Sequence, residues 1–310
     1  MVLKNTFQKK SRVQKLIEFV FYGNYFYGFC IVALMLEAKS QLNLQANGTL
    51  IYLIAFFATV LFYNYPYARN YTSPSNNPRT QWHIHNHSFI VRSQVILTFV
   101  LAALVTWFIF LHSYELKNAQ TLQWLLFLVF PLAGIMYYGL NFFSSKYNLR
   151  KIGWLKPFII GFVWAGVANI YPELYFDLIY SKNYSFSLLG NLLFLKNLMF
   201  VSLLAIMFDI KDYVSDSNYQ INTLVVKFGL RKTIFYVLLP FTILGLLTFI
   251  AYALTHQFSL LKMSLIMIPF FLLIAAATSF RKRRSLLYFF VVIDGLMIVK
   301  AIFGILSMMV

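Results

Sequence analysis

Asp209, Asp212 and Asp216 gather three of the chain's nine acidic residues into eight consecutive positions. On an α-helix, spacings of three and seven place their side chains within roughly 60° of one another on one face. Three anions in one stripe repel each other. A multivalent cation is the simplest reason to keep them together beside a membrane. An all-oxygen donor set favours a hard ion such as magnesium, which commonly also holds substrate phosphates. A solvated acidic turn at a helix end accounts for the same spacing.

Other polar residues invite chemistry less directly. His83, His85 and His87 alternate, and His83 and His87 share a helical face, which is compatible with a zinc site; with no carboxylate or cysteine nearby, hydrogen-bonding histidines in a polar interfacial loop fit better. Asp294, Lys196 and Lys300 fall inside apolar runs, where a charge costs at least about 2.5–3.5 kcal/mol and normally faces a cavity or a partner. Lys196 is placed to snorkel outward, and Asp294 to line a cavity or make a bundle-interior hydrogen bond. Asp294 and Lys300 point about 120° apart on a helix, so no direct pair is expected. Among the 34 Phe, 21 Tyr and 5 Trp, Tyr137 and Tyr138 are candidate cavity aromatics, whose faces could stabilise a cation.

These groups have to be positioned by membrane helices. The 310 residues are 60% hydrophobic and only 11% charged, against about 25% charged in soluble domains. The composition is that of an all-α polytopic membrane protein. The net charge of +17 is spread between long apolar runs as topology signals, which argues against nucleic acid as a partner. One cysteine, Cys30, excludes an intramolecular disulfide and a cysteine metal site. The basic N-terminal segment, residues 1–15, precedes an apolar run without a small-residue cleavage site, so that run is read as the first membrane helix.

About 20 apolar residues span the hydrocarbon layer. Nine spans are expected, near residues 17–36, 50–65, 93–114, 122–143, 157–171 (short), 188–208, 233–254, 263–280 and 286–309. With the N-terminus cytoplasmic, the Lys and Arg of segments 1–15, 69–92, 146–156, 211–232 and 281–284 all lie on the inner side. Only Lys39, Lys117, Lys182 and Lys262 lie opposite, with Lys196 and Lys300 inside spans. This bias selects that orientation, with the C-terminus on the far side of the cytoplasmic (inner) membrane. It brings the polar stretch 69–87, the basic stretch 146–156 and the Asp-rich stretch to one face. Residues 1–310 read as a single membrane domain with no linker.

The run Asp209-Ile-Lys-Asp212-Tyr-Val-Ser-Asp216, followed by Thr223-Leu-Val-Val226-Lys-Phe-Gly229, resembles the second Asp-rich motif of UbiA-type intramembrane prenyltransferases and the Thr-Leu-x-Val-x-x-Gly run after it. Leu149–Pro157, leading to Trp164, is similar to the basic loop of that family's smaller bacterial members. The resemblance implies transfer of a prenyl chain from its diphosphate to a lipid-soluble, usually aromatic acceptor. It also implies magnesium on Asp209, Asp212 and Asp216, with Arg150 and Lys151 as diphosphate clamps.

The family's first motif departs here: Asn64 remains, and by the resemblance is a candidate diphosphate-binding residue, but no Asp occurs before Asp177. Arg69 and Arg79 are then candidates to meet the diphosphate directly, or they serve only the charge bias. The competing reading is a non-catalytic protein of the same fold that binds isoprenoids or assists assembly; a transporter, which would place polar groups at the bilayer midplane, is more remote. No protein partner is predicted.

Overall fold

The structure, a computed structural model, describes residues 11–45, 48–69, 77–138, 152–218, 220–280, 282 and 284–310, without the side chains of 69 and 138. The chain runs α1 (Arg12–Tyr22), α2 (Tyr25–Gln41), α3 (Thr49–Arg69), α4 (Pro78–His85), α5 (His87–Leu111), α6 (Ser113–Lys117), α7 (Thr121–Tyr138) and α8 (Lys156–Ile179). It continues through α9 (Leu188–Asn218), α10 (Leu224–Phe228), α11 (Leu230–Thr255), α12 (Leu260–Ser279) and α13 (Leu286–Leu306).

Each expected apolar segment is largely helical over its described residues. Among the described residues, however, seven helices are long and apolar enough to cross a membrane alone, namely α3, α5, α8, α9, α11, α12 and α13. The first expected span is a bent pair. α1 starts on a capping box in which Ser11 and Gln14 bond each other's backbone N–H, and it stops at Gly23. Asn24 takes a left-handed φ of 63°, a conformation Asn tolerates better than most residues, and α1 meets α2 at 63°. α7 is the short apolar helix, and the expected end of the fourth span lies outside the described residues.

The fifth span needs correction, because it is 24 residues long, not short. A π-helical turn, Gly166–Ile170, precedes Pro172, and the helix resumes with Pro172 in its first turn, where a missing N–H is tolerated. Likewise the stretch expected as a polar loop around the histidines is helical: Asn77 caps α4 through Arg79 N, and Pro78 sits in its first turn.

The helices close into a ring in which α2 packs on α3, α8 and α13, α8 on α7 and α9, and α11 and α12 complete the circuit to α13. α8 and α9 are each 61% buried over their most apolar windows, against 11% for α5, so α8 and α9 form the interior while α5 faces outward. Their approach depends on Gly161. A β-carbon there would stand 2.1 Å from Ser202 Oγ and 2.6 Å from the Leu198 carbonyl oxygen, so only glycine lets the backbones meet this closely. Gly161→Ala is expected to cost about 1–3 kcal/mol by overpacking. Adding Ser202→Ala should recover only part of the loss in thermal unfolding, because the carbonyl clash persists.

Candidate functional site

The α8–α9 contact delivers Lys156, at the start of α8, to Asp209. Lys156 Nζ lies 2.6 Å from Asp209 Oδ1, and the Asp209 side chain is fully buried. Asp209 Oδ2, equally buried, has no hydrogen-bond partner among the described residues. Asp212 is 40% exposed and lies 3.0 Å from Lys211, so the acidic stripe runs from the interior outward. Asp212 and Asp216 act electrostatically on Asp209, yet among the described residues no three His, Cys, Asp or Glu side chains are grouped to hold a metal. Tyr137, also buried, and Asp216 lie within electrostatic reach of Lys156.

The run after the stripe has a local purpose. Thr223 caps α10 by accepting from Val226 N, and Gly229 ends it at φ 79°, ψ 157°, a region that side chains exclude. Gly153, just before α8, lies against the backbone of Asn222 and Thr223. The two sequence segments singled out by resemblance are therefore in contact at this end of the bundle.

A second polar group assembles beside it from α2, α3, α4 and α13. Asn24 donates to Asn64 Oδ1 at 2.7 Å, and Asn64 donates to the Gly23 carbonyl at 2.8 Å. Asn64 thus secures the bend after α1. Arg79 is turned into the bundle: it donates to Asn24 Oδ1 and its guanidinium lies 5.1 Å from the Tyr67 ring and 5.0 Å from the Phe290 ring. Phe290 also packs against Phe208, which neighbours Asp209 in sequence, so one ring separates Arg79 from α9.

His83 stacks on Tyr67 at 3.8 Å, and burial together with the nearby Arg79 charge pushes its imidazole down to about 3. At neutral pH it is an uncharged stacking partner, and its neighbourhood holds no metal-binding group among the described residues.

Deeper in, Tyr27 donates to Asp294 Oδ2 at 2.8 Å. Tyr27 stacks on Tyr63 at 4.4 Å, and Trp164 Nε1 donates to the Tyr63 hydroxyl at 2.9 Å. Arg79 and Lys211 lie within electrostatic reach of Asp294. The π-helical turn Phe289–Ile293 immediately precedes it.

Of the sequence candidates, the structure brings Asn64, Arg79, Asp209, Asp212, Asp216, Tyr137 and Asp294 to this end. Arg150 and Lys151, and the side chains of Arg69 and Tyr138, lie outside the described residues. Lys156, Asn24, Tyr27 and Tyr63 were not anticipated, since no local pattern marks them. A cavity of about 520 Å³ opens elsewhere, between α9, α11 and α12. Chemically, the end bearing Arg79, Lys156 and Lys211 can bind a multiply charged anion, with an aromatic cluster behind it.

No family model matches the sequence, and no curated protein matches it. The fold is similar to a solved structure of digeranylgeranylglyceryl phosphate synthase, with a TM-score of 0.53 over 95% of this chain and 98% of that one, at 16% identity. At that identity the likeness is one of fold, across the full length of both chains.

Proposed function

We propose that this chain is a membrane prenyltransferase that moves an isoprenoid chain from its diphosphate to a lipid-soluble, aromatic acceptor. The observation that carries the reading is that Arg79, packed on Phe290, and Lys211, packed on Phe208 of the α9 segment that also holds the buried Asp209–Lys156 pair, lie across two contacting rings at one end of the bundle. The fold shared with digeranylgeranylglyceryl phosphate synthase supports it.

In the reaction the allylic C–O bond breaks and both electrons leave on the diphosphate oxygen. Arg79, Lys156 and Lys211 meet the charge that grows there, Arg79 with the planar donor fork suited to phosphate oxygens. Asn64 holds the bend that orients Arg79 through Asn24. Arg69, Arg150 and Lys151 are assigned to the diphosphate by the family resemblance and the charge pattern alone, since Arg150, Lys151 and the side chain of Arg69 lie outside the described residues. Tyr27, Tyr63 and Trp164, with Tyr137 near the rim, present ring faces to the allylic cation and exclude water; the side chain of Tyr138, the other aromatic candidate, lies outside the described residues. The acceptor attacks that cation and releases a proton.

Asp209, Asp212 and Asp216 are the residues that would hold magnesium, which when bound would neutralise part of the diphosphate charge; the buried Oδ2 of Asp209, without a hydrogen-bond partner among the described residues, supports this, while the three carboxylates are not grouped as a ready-made metal site. One ion is the extent of the fit, because Asp209 Oδ1 is already held by Lys156. In this reading the protein sits in the inner membrane with its N-terminus cytoplasmic, and its partners are the prenyl diphosphate, the acceptor and membrane lipids.

The second reading, an isoprenoid-binding or assembly protein without catalysis, is favoured by the ammonium partners already on Asp209 and Asp212. Membranes containing the protein, supplied with labelled prenyl diphosphates of several lengths, magnesium and a lipid-extract acceptor pool, separate the two. Transfer should occur and fall at least about tenfold in Asp212→Asn, because a weakened metal site would leave more of the leaving group's charge uncovered. Transfer indifferent to that substitution removes the assigned site. Absence of transfer at every chain length, with diphosphate binding retained, selects the binder.

A further inference from the structure

Far from the Asp209 end, Glu37 of α2 is buried with two lysines. Its Oε2 accepts from Lys300 of α13, and its Oε1 accepts from Lys196 of α9 at 3.3 Å and from Gln41 at 3.2 Å. Lys196 also donates to Gln41 Oε1 at 2.9 Å. One carboxylate therefore faces two ammonium groups, leaving an excess positive charge inside an apolar bundle. Such a charge favours an anion or an acceptor within reach.

Lys300 is sealed, with a side chain 5% exposed, whereas Lys196 is 16% exposed and borders the cavity of about 520 Å³. That volume lies within the range of ligand pockets. Leucines of α9 and Phe241, Leu244 and Phe249 of α11 make its walls greasy. Among its described lining residues the charged ones are Lys196 and Lys262, and none is acidic. Lys262 is the third residue of α12, at the mouth, while Lys196 lies eight residues along α9, about 12 Å from that helix's start. Ser202, buried and without a hydrogen-bond partner among the described residues, also borders the cavity.

We propose that this groove binds one anionic phospholipid of the surrounding bilayer. The phosphate meets Lys262, the glycerol ester oxygens approach Lys196 and Gln41, and an acyl chain lies along α9 and α11. The shape fits a chain held at a helix flank, and the sign and depth of the two lysines fit an anionic headgroup with polar ester groups below it. The inference is independent of the transferase reading.

The test uses the full chain, delipidated in a neutral detergent and titrated with dioleoylphosphatidylglycerol or dioleoylphosphatidylcholine, with bound lipid counted by native mass spectrometry. One phosphatidylglycerol should be retained at least tenfold more tightly than phosphatidylcholine. Lys262→Gln should erase that preference, and Thr248→Trp, which fills the groove, should reduce retention of both lipids. Equal retention of the two lipids by the unsubstituted protein, or a preference that survives Lys262→Gln, overturns the proposal. Lys196 is left intact because its removal disturbs the buried ion cluster.

Discussion

Lys156→Met will lower the thermal stability of the protein by about 3–5 kcal/mol, or about 6–10 °C, because it leaves Asp209 buried with no cation. The Asp209 side chain is fully buried, and its second oxygen already lacks a hydrogen bond among the described residues. Lys156→Met combined with Asp209→Leu should recover most of the loss, since a matched apolar pair is often as stable as a buried ion pair.

The same variant bears on the metal. If Asp209, Asp212 and Asp216 hold magnesium, millimolar magnesium will restore part of the stability of Lys156→Met and none of the double variant's. Recovery in the double variant alone would mean that the stripe serves an ammonium–carboxylate pair and that the magnesium assignment is wrong. A Lys156→Met protein as stable as the unsubstituted chain would remove the ion pair itself from the account.

Glu37→Gln is expected to be at least as damaging, again about 3–5 kcal/mol or more, and it should exceed Lys300→Met. The ordering follows from charge. Glu37→Gln leaves Lys196 and Lys300 facing each other with no anion, whereas Lys300→Met leaves Glu37 with Lys196 and Gln41, a neutral and hydrogen-bonded set. Thermal unfolding of both variants in one detergent checks the order. If Lys300→Met proves the more damaging, Lys196 is not an effective partner for Glu37 and the excess charge beside the groove is absent.

These two pairs also show where a linear reading of the chain falls short. Asp209, Asp212 and Asp216 could be placed on one face because helical periodicity is local, and Asn64 and Arg79 could be named because they stand where an acidic motif is missing. Lys156 was counted as one of several basic residues near a membrane edge; its partner is 53 residues away and no spacing announces it. Glu37 fell just past the expected end of the first span and drew no attention, although it neutralises part of two lysines. Lys196, expected to reach outward, turns inward to Glu37 and Gln41. That is the cheaper choice in a medium where an unpaired ammonium is costly and a carboxylate is at hand.

By itself the sequence determined the helical class, the places of the apolar segments, the helical spacing of the three Asp residues and the uneven spread of Lys and Arg between those segments. Each depends on residues close together in the chain or on a sum over its length. Only the tertiary structure decided that the first span breaks at Asn24, that the fifth continues past Pro172 and that Asp294 binds Tyr27. It also decided that a groove opens between α9, α11 and α12 without Asp209, Asp212 or Asp216 in its lining. Those outcomes depend on which helix faces meet, and in a bundle this apolar nearly every face is greasy enough to meet any other. Close backbone approaches such as that at Gly161, and the need to pair a few buried charges, select one arrangement.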